Sequence, residues 1–150
     1  MDFYQNRVLR GIALALRVVL GAVFVYAGYV KLRVPWAFFA MSIDAYHIVP
    51  FRYLHPLAVA IPWFEVAVGL LLILGRFLRF SAAVVSLTLA TFFAAMLHAF
   101  LNHQAIDCGC FSPGGDPISK WTLLRDGSML AAGLALTVLS FLRRRQATAR

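Results

Sequence analysis

Cys108 and Cys110 are the only two cysteines in 150 residues, and Gly109 alone separates them. Two Cα atoms one residue apart can lie within the roughly 4.4–6.8 Å that a disulfide spans, and a glycine between them eases closure of so small a ring by admitting positive φ. A tight, exposed disulfide tends towards a higher reduction potential and accepts electrons from a dithiol partner. The pair reads first as an exchangeable thiol–disulfide site, although Asp107 beside it disfavours the thiolate. Two alternatives stay open at this level. The cysteines are two unpartnered thiols, or they join His98 and His103 in a two-sulfur, two-nitrogen set for zinc or Cu(I), at a spacing that matches no common zinc motif.

The elements that position this site are apolar. Hydrophobic residues make up 62% of the chain and charged residues 13%, with a mean hydropathy of +0.81. Soluble domains carry about a quarter charged residues, so the composition excludes a water-soluble enzyme and points to an integral membrane protein. The net charge of +8 does not indicate a nucleic-acid partner, because no basic stretch with interleaved aromatics lies outside the apolar blocks.

The blocks predict an all-α membrane four-helix bundle in one domain over residues 1–150, with membrane helices near 11–30, 57–75, 80–101 and 121–142. A cleaved signal peptide would have a shorter apolar run and a small-residue cleavage site, and the first block instead ends at Lys31 and Arg33. Residues 35–48 place Trp36, Phe39, Ala40, Ile43 and His47 at helical spacing between Pro35 and Pro50, the pattern of an interfacial helix lying over the bundle. Residues 102–120, rich in Gly, Pro and Asp, form a loop that carries the cysteines. The leader, the turn between the second and third membrane helices and the tail hold eight Lys and Arg against four in the other two connections. By the positive-inside rule the termini are cytoplasmic and the cysteine loop is extracytoplasmic, which for a bacterial inner membrane means the oxidising periplasm.

Inside the apolar blocks a few ionisable residues stand out. Glu65 lies near the middle of the second membrane helix, where a carboxyl is expected to face the bundle interior with a basic partner. Arg17 is the first candidate for that partner and Lys31 the second. Arg125 and Asp126 enter the last helix beside the cysteine loop. These five residues are candidates either for structural glue or for holding a quinone and relaying protons. Gly21, Gly28, Gly69 and Gly133 read as close-packing positions between helices.

Taken together, Arg17 to Lys31 with Gly21 and Gly28, the segment Tyr46 to Pro50, Pro62-Trp63-Phe64-Glu65 with Gly69, Cys108-Gly109-Cys110-Phe111, and Trp121 to Asp126 resemble the DoxX/MauE family of small four-helix membrane proteins. The Cys-Gly-Cys-Phe loop before the last helix is similar to the MauE branch, which is linked to methylamine utilisation. Ser112 departs from the glycine that the family often has there. The resemblance implies a membrane protein that works with a thioredoxin-like periplasmic partner in forming disulfides of a secreted enzyme; on the reading of the cysteine pair as an exchange site, a quinone held against the bundle is a candidate for the onward electron acceptor. One cysteine pair is fewer than the two that a complete relay from periplasmic dithiol to quinone usually employs. The contrasting expectation is a non-enzymatic membrane anchor or assembly subunit of a redox complex.

Overall fold

The computed structural model describes residues 2–103, 106 and 117–148, with 2–6 and 143–148 described as backbone only. The elements are α1 (Asp2–Leu32), α2 (Trp36–Asp44), a 3-10 turn (Phe51–Tyr53) that runs into α3 (Leu54–Leu74), α4 (Leu78–Leu101) and α5 (Lys120–Thr148). Among the described residues there is no strand element. Among the described residues four helices are long and apolar enough to cross a membrane; α3, with 21 residues, rises about 30 Å at 1.5 Å per residue. The chain is a multi-pass, all-α membrane protein.

Local chemistry sets where these helices start and stop. At α3, Gly75 adopts φ 71° and donates its N–H to the carbonyls of Leu71 and Leu72, a left-handed cap that glycine tolerates best. Phe77 follows with φ 52°, and two left-handed residues this close reverse the chain directly into α4. At α5, the Ser119 N–H donates to Thr122 Oγ1 at 2.7 Å while the Thr122 N–H donates to Ser119 Oγ at 3.3 Å, a reciprocal capping box with Thr in the acidic residue's usual place.

Several bounds differ from the sequence reading. α1 is already helical at Asp2, since nothing in the leader breaks a helix. α3 begins at Leu54 because Pro56, in the first turn, removes an N–H that has no intrahelical partner there. α2 stops at Asp44, and His47, expected on its apolar face, lies beyond it with φ 53°. Of that face Phe39 and Ala40 are buried, whereas Trp36 meets His55 edge-on at 4.5 Å between ring centroids.

α1 packs most extensively on α3, and α4 on α5, with α2 laid over the first turns of α3. A Cβ on Gly69 would stand 2.7 Å from the Gly21 carbonyl oxygen, and one on Gly28 would stand 2.6 Å from that of Pro62. These contacts bring the two backbones together and fix the antiparallel register of the pair. Across α4 and α5 the Ser86 and Thr137 hydroxyls meet at 3.0 Å. Leu20, Leu72, Val85 and Leu136 lie at the centre of the main apolar core, and Phe39, Ala40, Leu54 and Ala58 form a second cluster under α2. Outward-facing residues such as Leu74 and Leu87 are also apolar and well exposed, as lipid requires.

Candidate functional site

The α1–α3 register places Lys31 beside Glu65. Gly28 packs against the turn from Pro62 to Val66, so a side chain one turn further along α1 reaches the carboxyl of Glu65 in that same turn. The Lys31 ammonium donates to both oxygens, at 2.7 and 2.8 Å. Lys31 and Glu65 are each only 4% exposed. Phe39, brought over from α2, has its ring centroid 5.0 Å from the ammonium, and Phe92 on α4 completes an aromatic enclosure at 5.7 Å. A cation flanked by aromatic faces gains from their quadrupoles, most strongly where water is excluded.

This arrangement corrects the first choice of partner. Arg17 does not meet Glu65: its guanidinium lies against Gly75 at the far end of α3. Ten residues of helix separate Gly75 from Glu65, about 15 Å, which is beyond the reach of an arginine. Arg17 Nε is buried without a hydrogen-bond partner among the described residues, close to the carbonyl end of α3, where a positive charge is favoured by the helix dipole.

A small cavity of about 50 Å³ adjoins the Lys31–Glu65 pair, and Asp126 of α5 faces into it with Thr88, Phe92 and Met129. Asp126 is 7% exposed and accepts from Arg125 Nε at 3.0 Å. Four of the five ionisable residues singled out in the apolar blocks thus gather towards the α2 end of the bundle, and Arg17 lies apart. Phe39, Thr88 and Phe92, which enclose the pair, carry no sequence signal that separates them from ordinary core positions. The helical spacing of Phe39 in 35–48 marked it only as apolar face.

Cys108 and Cys110 lie outside the described residues, as does the rest of 107–116. The flanks of that stretch are described: the Ile118 N–H donates to the Ile106 carbonyl at 3.1 Å, which ties 106 to 118 just ahead of α5. On the α4 side, the Asn102 side chain donates to the His98 carbonyl at 2.8 Å and lies 3.3 Å from His98 Nε2, and His103 adopts φ 51°. Among the described residues no three His, Cys, Asp or Glu side chains converge as metal ligands do. Of the residues weighed for a metal, His98 and His103 are among those described and the two cysteines are not.

The sequence model of a protein family described as "Methylamine utilisation protein MauE" matches residues 9–139. The chain belongs to the MauE family. It is 33% identical over 125 residues to the methylamine utilization protein MauE of Paracoccus denitrificans, a match that covers 81% of this chain and 66% of that relative. This MauE-family chain therefore spans just under two thirds of the length of the curated relative it matches. No solved structure matches it. The family match takes in the whole of α2, α3 and α4, the cysteine loop and most of α1 and α5, so both the Lys31–Glu65 pair and Cys108 and Cys110 fall within it.

Proposed function

We propose that this MauE-family protein is a membrane thiol–disulfide exchange protein, acting as a single membrane domain whose cysteine loop faces the periplasm and whose termini are cytoplasmic. The observation that carries the reading is the Cys108-Gly109-Cys110 pair, in a stretch whose flanks are tied together at the head of α5. In the cycle a thiolate of a thioredoxin-like periplasmic dithiol attacks the Cys108–Cys110 disulfide, forming a mixed disulfide and releasing one cysteine thiolate. The partner's second thiol then attacks the mixed disulfide. The partner leaves oxidised, ready to form disulfides in a secreted enzyme, and Cys108 and Cys110 are left as a dithiol. Restoring the disulfide removes two electrons and two protons, which a membrane quinone takes up as it becomes quinol. The Paracoccus relative is named for methylamine utilization, and we take methylamine utilization as the setting of the client.

Replacing either cysteine by Ser tests the reading. One single variant is expected to accumulate a covalent adduct with the thioredoxin-like partner, because the resolving sulfur is gone, and both are expected to lose exchange. A membrane-impermeant thiol reagent should label the reduced pair in intact cells. Labelling only after lysis, or a double Ser variant that still supports oxidation of the partner, would overturn the proposal.

A further inference from the structure

A second, larger pocket of about 400 Å³ lies between α2, α3 and α4, beneath Tyr46 and Val49. Its volume is that of a site for a small organic ligand. Its inner wall is formed by Phe39, Thr88 and Phe92, the same three residues that line or enclose the Lys31–Glu65 pair. One layer of side chains thus separates the pocket from the buried charges. Its rim carries Phe64 and Leu87, which are 44% and 70% exposed on the apolar outside of the bundle. The mouth consequently opens sideways into lipid, and a ligand with an aliphatic tail enters without crossing water.

The lining selects further. The aromatic side chains of Phe39, Tyr46, Phe64 and Phe92 favour a flat ring over an acyl chain. The hydroxyls of Ser42, Thr88 and Thr91 each donate to a carbonyl of their own helix, at 3.3, 2.9 and 2.9 Å. Their hydrogens are engaged and their lone pairs are left to accept, which suits a ligand that brings its own O–H donors.

We propose that this pocket binds the ring of a membrane quinone and holds the reduced, quinol form more tightly than the oxidised one. Tighter binding of quinol raises the reduction potential of the bound couple, so bound quinone becomes a stronger electron acceptor than quinone free in the membrane. The choice of a two-electron carrier rests on the thiol-exchange reading, whereas the location rests on the pocket alone.

The test uses the full chain in lipid nanodiscs with a decyl-tailed benzoquinone, its quinol and its azido photolabel. Photolabelling is expected within 39–49, 57–64 and 87–95, competed by the unlabelled compound. Ala95→Phe, which fills the pocket, should weaken binding at least about tenfold, the scale of an overpacked site. Thr88→Val keeps the shape and removes an acceptor, and should lower the affinity for quinol by roughly three- to tenfold with little change for quinone, the worth of one hydrogen bond. The Cys108→Ser, Cys110→Ser double variant should bind as the parent does, so that a failure of thiol exchange and a failure of the pocket are read separately. Label elsewhere in the chain, no binding by the parent, quinone held more tightly than quinol, or phospholipid that the quinol does not displace would each overturn the proposal.

Discussion

Two basic residues of α1, Lys31 and Arg17, separate the two ends of the bundle. They are fourteen positions apart, close to four helical turns, and so share a face of α1 directed towards α3. Yet Lys31 is held by both oxygens of Glu65 and enclosed by Phe39 and Phe92, whereas Arg17 Nε has no hydrogen-bond partner among the described residues and its guanidinium rests on the capped end of α3. The difference is one of depth relative to α3. Where the register presents a carboxyl, the cation is drawn into the interior. Where it presents a helix terminus, the cation stays at the end. The α2 end accordingly contains the buried ion pair, the pockets beside it and the attachment of the cysteine loop, while the opposite half centres on an apolar seam around Leu72, Val85 and Leu136, with an open surface pocket beside Phe77 and Ser140.

The contrast is broken most severely by leaving one buried charge alone. Glu65→Leu strands the Lys31 ammonium and should destabilise the protein by about 3–5 kcal/mol, as for other broken buried pairs. The Lys31→Met, Glu65→Leu double variant should recover most of that loss. Arg17→Met should cost about 1 kcal/mol or less. Unfolding by denaturant in mixed micelles measures all three, and equal losses for Glu65→Leu and Arg17→Met would erase the distinction between the ends.

Phe39→Ala should cost about 3 kcal/mol, because it removes a buried ring and the lid over the ammonium together. A matching rise in proteolytic cleavage within 45–53 would report release of α2; unchanged cleavage would show that α2 is held without this ring. In the apolar half, Gly69→Ala forces a methyl towards the Gly21 carbonyl and should cost about 1–3 kcal/mol. Gly11→Ala, with nothing within 4 Å of the added carbon, should stabilise by up to about 1 kcal/mol through helix propensity. Thermal melting that ranks these two glycines together would show that α1 and α3 do not pack as described. Gly75→Ala should cost about 1 kcal/mol from a side chain at positive φ, with Arg17 moving aside.

Composition and block length alone determined that this chain lies in a membrane as helices, because apolar runs of about twenty residues have no other stable fate in water or lipid. Two cysteines around one glycine likewise stand out without any structure, since their chemistry is local. Helix ends were legible where a single residue decides them, as at Gly75, and were misplaced where the decision is positional, as with Pro56 inside the first turn of α3. The partner of Glu65 was decided only by tertiary structure. Hydropathy marks Arg17 and Lys31 alike, and a sequence carries no register between antiparallel helices. That register comes from backbone approach at Gly21, Gly28 and Gly69, and a shift of one turn moves each facing residue by about 5 Å along its neighbour, enough to exchange a salt bridge for a helix cap. The aromatic enclosure arose in the same way: Phe39 and Phe92 lie more than fifty residues apart and become one site only when α2 folds back over α3 and α4.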